Sequence, residues 1–373
     1  MITREQALNS AQQILAEQKL DALVVASPWN VRYLAGMSFL TQRVIPDRLA
    51  LVVVTPHAEP AFIYCSIEDA SARDESWLDD LQGYTEFADR PMLILADQLR
   101  ARGIGGGRIG IEMDYLVSSH TAELGGALPQ ASLVAAQGWL DGARMIKTAD
   151  EIEWLGRTTL ATDSAIRSAF AHTKIGEPQF AVGERMMAEA RRSGADGLQH
   201  LVLATGETAF KVHAVPDATP LRAGSPLRVD FGMTWHGYLS DIARTAFLKP
   251  MQPRQADVYR RLEAVQQTSL AAMRAGARAC DVYALCARAY ERERLPFGMP
   301  HIGHSIGLVL HEKPMLHPRD ETMLQPGMVF MVEPAVVAHD GVYHTEDMVV
   351  ITDGDPRVLS RSADWGVPME IGG

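Results

Sequence analysis

Thiols are scarce: Cys65, Cys280 and Cys286 are the whole complement of 373 residues. An odd, sparse set with no CxxC pair excludes a disulfide framework and a thiolate metal site, and predicts three reduced, packed cysteines. No run approaches the roughly 18 apolar residues of a membrane span. The opening MITREQALNSAQQILAEQKLDALVV lacks the basic start and apolar stretch of a secretory leader. These absences set the expectation of a cytoplasmic protein. Positive charge is also in deficit. A formal net charge of -11 counts against a general nucleic-acid binder, which would need a concentrated basic surface, so a small molecule or short peptide is the expected partner. Internal repeats are not evident. A phosphate-cradling loop is missing too, because GIGGGRIG (103–110) leads into a strand instead of out of one into a helix.

Apolar residues make up 47% and charged residues 22%, enough to bury a large core. The chain exceeds the roughly 250–300 residues at which one core stops growing, and two domains are expected, 1–145 and 146–373. In the first, Thr3 can cap a helix running to about Lys19. ALVVA (22–26), LALVVVT (49–55), AFIYC (61–65) and RIGIE (108–112) read as short buried strands, and PMLILADQLRARG (91–103) as a helix. That alternation indicates an α/β layer domain. The second domain opens on TADE (148–151), a capping box. Ile152, Leu155, Thr159, Thr162, Ile166 and Ala169 then follow along one helical face. PQFAVGERMMAEARRSG and the segment from Gln252 to about Arg294 look helical, the methionines of RMMAEA serving as core filling. Strand-like HLVLATG, PLRVDFG, MVFMVEPAVV and MVVIT are interleaved with them, so this domain is expected to be α+β.

Two hairpins carry acids. In RVDFGMTWHGYLSDIART, a turn centred between Trp235 and His236 places Asp230 opposite Asp241. In MVFMVEPAVVAHDGVYHTEDMVVIT, a turn centred between His339 and Asp340 places Glu333 opposite Glu346. Directly opposed like charges in an antiparallel pair are destabilising. Flanked by apolar residues, they call for a compensating cation or raised pKa values, unless both hairpins simply turn their acids to solvent. The stretch HIGHSIGLVLHEKP (301–314) adds His301, His304 and His311. Four carboxylates with one neutral imidazole from His304 balance two divalent cations, and mostly oxygen ligation suits Mn²⁺, Fe²⁺ or Co²⁺ while admitting Zn²⁺.

The order Asp230, Asp241, His304, Glu333, Glu346, with HIGHSIGLVLHEKP and LQPGMVFMVEP, resembles the pita-bread metallopeptidases, which include methionine aminopeptidase, prolidase, aminopeptidase P and creatinase. LDALVVASPWNVRYLAGM (20–37) is similar to the creatinase-type N-terminal domain. The resemblance implies a dinuclear site, with Mn²⁺ first among the metals, held by those five residues, Asp241 and Glu346 bridging. It also implies Glu333 as general base and His213 and His311 as further catalytic side chains near the metals. The implied reaction is hydrolysis of Xaa-Pro bonds in dipeptides or short peptides by a metal-bridging hydroxide, carried out by a homodimer. His301 is expected to be a packed or hydrogen-bonded residue, and His317, His339 and His344 to have no ligand role.

Other readings remain open on the sequence. His344 stands two before Glu346, where prolidases and aminopeptidases P usually carry arginine, and this admits a non-peptide small substrate of the creatinase or ectoine type. Arg32, Arg43 and Arg48 are candidates to hold a substrate carboxylate in compensation. A metal-free peptide-binding module is a further alternative, disfavoured by the complete ligand set. GHSIG (303–307) matches the serine-hydrolase elbow, with Asp320 and His339 available, but lacks a convincing strand before it and room for a helix before Pro314. HEKPMLH misses the HExxH spacing of zinc peptidases.

Overall fold

The computed structural model describes residues 1–45, 47–361 and 364–373. The chain divides into two compact units, Met1–Arg144 and Met145–Gly373.

The first unit is α/β. Helix α1 (Arg4–Gln18) opens on a reciprocal capping box between Thr3 and Gln6. There follow β1 (Ala22–Val25), α2 (Pro28–Ala35), α3 (Leu40–Val44), β2 (Leu51–Val54), β3 (Ala61–Cys65), α4 (Asp69–Glu75), β4 (Asp80–Tyr84), α5 (Pro91–Ala101), β5 (Arg108–Ile111), α6 (Ser118–Ala127), β6 (Ser132–Ala135) and α7 (Gln137–Met145). One mixed sheet runs β4-β3-β2-β1-β5-β6. Its central strands β1, β2 and β3 are buried throughout, which explains their unbroken apolar sequences. The two edge strands, DLQGY and SLVA, are half-exposed and lack the strong apolar signal that marked the others. Arg48, one of the proposed carboxylate holders, is already engaged: its guanidinium donates to both oxygens of Glu86 at 2.7 and 2.9 Å.

The second unit is α+β. Thr148 and Glu151 form the expected capping box at the start of α8 (Ala149–Ala171). Then come α9 (Gln179–Arg192), β7 (Gly197–Thr205), β8 (Pro226–Trp235), β9 (Tyr238–Leu239) and β10 (Ile242–Leu248). The long helical stretch after Gln252 is two helices, α10 (Pro253–Ala271) and α11 (Ala279–Arg292), separated by a break at 272–278. The chain closes with β11 (Gly303–Ser305), β12 (Glu312–Met315), β13 (Val329–Val332), β14 (Ala335–Val337), β15 (Val342–His344), β16 (Asp347–Val350), β17 (Arg357–Val358) and β18 (Met369–Ile371). One sheet runs β18-β10-β8-β7 with β9 on β8, a second runs β12-β11-β13-β16-β17, and β14 pairs with β15. Leu262 and Val265 of α10 and Tyr290 of α11 belong to one buried cluster with Phe330, Val332 and Val349 of the second sheet. Among the described residues, no helix is long and apolar enough to cross a membrane.

The first acidic hairpin departs from the expected register. Trp235 pairs with Tyr238 and Asp230 with Ala243, so the turn residues are His236 and Gly237. Both have positive φ, 48° and 84°, as the two central positions of a type I′ turn require. The expected centre, between Trp235 and His236, was therefore one residue early. Asp241 still shares a face of the sheet with Asp230, but diagonally. In the second hairpin Val332 pairs with Asp347 and Ala335 with His344. These pairs flank Glu333 and Glu346 in the expected register, each glutamate sitting where one ladder stops and the next begins.

Candidate metal centre and active site

The two sheets deliver their acids to a single cavity of about 1000 Å³. Asp230 comes from β8, and Asp241 from the short interruption between β9 and β10. His304 lies on β11, between β12 and β13, and the two glutamates lie at the ends of β13 and β16. All five residues line the cavity. His304 Nε2 stands 3.6 Å from Asp241 Oδ2 and 3.7 Å from Glu333 Oε1. Among the described residues, two groups have ligand atoms mutually close enough to share an ion: Asp241 with His304 and Glu346, and Asp241 with Asp230 and His200. Asp241 is common to both. Glu333 belongs to neither group in this conformation and instead meets three imidazoles, His304, His301 at 3.4 Å and His344 at 3.6 Å.

The electrostatics test whether cations fit. Glu346 is 1% exposed, and neither carboxylate oxygen has a hydrogen-bond partner. Burial, together with repulsion from Asp241, Glu333 and Asp230, holds its pKa well above the usual carboxylate range. Burial and the charges of Asp230 and Glu333 likewise push Asp241 up to about 7, against the opposing pull of His200. Asp230 goes the other way, to about 2, because the hydrogen bond from His200 outweighs its burial. Burial opposes the charged form of His200, but its bonds to the two aspartates raise it to about 10. Burial lowers His304 to about 4 and so favours the neutral imidazole that a metal requires. A buried carboxylate with two orphaned oxygens beside a second acid is costly unless positive charge is supplied. Oxygen-rich donors with imidazole nitrogen are the chemistry that first-row divalent cations accept.

The backing of the site is ionic as well. Arg244, fully buried on β10, pairs with Asp163 of α8 at 2.8 Å and with Asp347 of β16 at 3.0 Å. It also donates to the Glu346 carbonyl. The backbone carrying the second glutamate is thereby tied to both sheets. Lys147, also buried, donates to Ser305 Oγ at 3.1 Å and Glu312 Oε2 at 2.9 Å. Ser305 therefore lies within a strand with its hydroxyl occupied, and the serine-hydrolase elbow is excluded.

Two further predicted side chains, His213 and His311, line the cavity. His311 is exposed, its ring 4.1 Å from that of His304 and 6.0 Å from that of His301. Partial burial holds its pKa below the ordinary value. His213 is exposed. His301, expected to be packed or hydrogen-bonded, and His344, given no ligand role, both line the cavity and face Glu333. His200 was missed altogether: its Nε2 is 2.7 Å from Asp230 and 3.3 Å from Asp241. Nothing in GLQHLVLATG marks it, because it reaches the site through strand pairing and not through sequence spacing. Arg228, also unforeseen, is a buried arginine on the cavity wall. Its Nη2 donates to the carbonyls of Lys211 and Val212, at 2.7 and 2.6 Å.

An acid-and-imidazole cluster set between two sheets of an α+β unit defines a metal-dependent hydrolase. The signature of metallopeptidase family M24 matches residues 154–353, and that of the creatinase/prolidase N-terminal domain matches residues 8–146. The chain belongs to metallopeptidase family M24, and its catalytic unit has the pita-bread fold. It is 27% identical to the dipeptidase-like YkvY of Bacillus subtilis, over 91% of this chain and 93% of that one. It is 24% identical to an Xaa-Pro dipeptidase of Lactobacillus helveticus, over 93% and 95%. An Xaa-Pro dipeptidase from Bacillus anthracis superposes with a TM-score of 0.87 over 99% of this chain and 100% of that one, at 22% identity.

Proposed function

We propose that this metallopeptidase is a dinuclear enzyme that cleaves Xaa-Pro bonds in dipeptides or short peptides. The observation that carries the reading is the single cavity in which Asp241 belongs to both metal-competent groups, the arrangement expected of a bridging ligand between two cations. Asp230, Asp241, His304, Glu333 and Glu346 would hold the pair, Mn²⁺ first, with Co²⁺, Fe²⁺ or Zn²⁺ also suited. When bound, two such ions supply an activated hydroxide at neutral pH and polarise the scissile carbonyl.

The protein's own residues account for the rest. Glu333, with three imidazoles 3.4 to 3.7 Å from its carboxylate, takes a proton from the attacking water and returns it to the leaving nitrogen. In an Xaa-Pro bond that nitrogen is tertiary and leaves only when protonated. His311 and His213, on the cavity wall, donate to the oxyanion that develops on the carbonyl. His344 occupies the position where the family resemblance leads one to expect arginine, and Arg228 supplies a guanidinium on the same cavity wall. We assign it the substrate carboxylate. Free cysteines support a reducing compartment, the cytoplasm, and the family resemblance supports a homodimer, which sedimentation of the purified protein tests.

The deciding experiment is a turnover screen of Mn²⁺- and Co²⁺-loaded protein against Xaa-Pro dipeptides, longer Xaa-Pro peptides, creatine and zwitterionic amidines. Turnover of the first two groups is expected. Activity confined to the last two would overturn the peptide assignment in favour of a creatinase-like or ectoine-type substrate. Failure to bind either metal would favour a binding module. For Arg228→Gln, KM for a free Xaa-Pro dipeptide should rise about tenfold or more, by loss of a charge-assisted pair, with a smaller change for the corresponding Xaa-Pro amide. Equal effects on the two would remove Arg228 from carboxylate recognition.

A further inference from the structure

The family ligand set gives the pair of cations one imidazole, that of His304. The structure brings a second imidazole to the opposite end of the acidic cluster, on a strand whose sequence carries no metal motif. In the β7–β8 ladder Leu198 pairs with Met233, but His200 pairs with Gly232, so Gln199 is an extra residue bulged out of β7. The bulge resets the pleat so that His200 falls on the face of the sheet that carries Asp230. Opposite it, Gly232 has no side chain to block the ring. A Cβ there would lie 2.6 Å from His200 Cε1 and 2.5 Å from the Ser240 carbonyl. On the far side of Gly232, the register that pairs Phe231 with Ile242 and Thr234 with Leu239 sets Asp241 across from it. His200, whose ring fills the surface over Gly232, then Gly232 and Asp241 form a row across the sheet, with Asp230 adjacent along β8.

We propose that His200 is a sixth protein ligand of the metal centre, giving its Nε2 to the cation held between Asp230 and Asp241. Two donors on one ion, at bonds of about 2.1 Å and near right angles, stand about 3 Å apart. The observed separations of 2.7 Å to Asp230 and 3.3 Å to Asp241 bracket that value, and the three ligand atoms lie within 4.8 Å of one another. Each cation then has its own imidazole, His304 for one and His200 for the other, with Asp241 between them. A second nitrogen donor shifts the Asp230 side away from an all-oxygen environment and toward Fe²⁺, Co²⁺ or Zn²⁺ relative to Mn²⁺.

This inference rests on the dinuclear reading of the site, and the test separates the two. The metal-free full-length protein is titrated with Co²⁺, bound cobalt is counted by mass spectrometry, and X-ray absorption counts imidazoles per ion. Two cobalt ions with an average of one imidazole each are expected in the natural protein. In His200→Asn one ion should remain tight while the other weakens about tenfold or more, since even outer-shell changes reach that size. The d–d absorption of the weakened ion alone should change. Two cobalt ions sharing a single imidazole would overturn the proposal and leave the dinuclear reading standing, with His200 merely orienting Asp230. A protein that binds no cobalt would overturn both. If His200→Asn does not fold, the imidazole count on the natural protein decides by itself.

Discussion

At the level of single residues, the acids and His304 were legible because each lies in a distinctive local sequence, and because buried acids without partners are rare enough to demand an explanation. His200 and Arg228 were not legible. Each enters the cavity from a strand position that looks like ordinary alternation, and only the pairing of β7 with β8, and the burial of the arginine, reveal them. Shared membership makes Asp241 the residue on which most depends. Asp241→Asn removes a charge from both candidate groups, so bound metal and peptidase activity should be lost together, with an affinity loss beyond the roughly 10- to 100-fold typical of outer-shell changes. Metal analysis after gel filtration checks it, and retention of two ions would remove Asp241 from the centre. His311 makes the contrasting case, since its ring lies beside His304 yet is exposed to the cavity. His311→Ala should leave the metal content intact and lower kcat by roughly 10²–10³, the usual effect of losing one oxyanion donor. Steady-state kinetics on the metal-replete variant would show it.

Among the elements, apolar periodicity found the central strands and the main helices, and the Thr3 cap and the TADE capping box located the starts of α1 and α8 to the residue. Turn chemistry was read less well. The first hairpin was centred one residue early, between Trp235 and His236, whereas a type I′ turn needs positive φ at both central residues, here His236 and Gly237. The consequence is that Asp230 and Asp241 lie diagonal to each other and not face to face. This sets Gly232, and not Asp230, across from Asp241 and relieves the repulsion that direct opposition would impose. Gly237→Val puts a β-branched side chain at φ 84°, at a cost of about 1–2 kcal/mol. Urea unfolding should show a lower midpoint with an unchanged slope. No change in midpoint would mean that the turn does not fix this register.

Across the whole chain, the two units differ in what metal can do for them. The first has its own buried cluster built on the mixed sheet, and among the described residues both metal-competent groups fall in the second. There the acids come from strands of two different sheets, so a bound cation adds a link between segments that otherwise meet through the Glu346–Ala243 backbone hydrogen bond and the Arg244 ion pairs. A ligand that binds only the folded state adds stability as its concentration rises above Kd, about 2.7 kcal/mol per site at a hundredfold excess. For a unit of this size that corresponds to roughly 5–10 °C in Tm. Chelation should therefore lower the melting temperature of the catalytic unit by about that amount per ion removed, and resupply of Mn²⁺ or Co²⁺ should restore it. Hydrogen exchange locates the effect: added protection should concentrate in β8, β10, β11, β13 and β16, the strands that carry or adjoin the ligands. The sheet of the first unit, which holds none of these acids, should exchange at the same rate with and without metal. Protection spread evenly over both sheets would mean that the ions stabilise the chain by some route other than the cluster around Asp241.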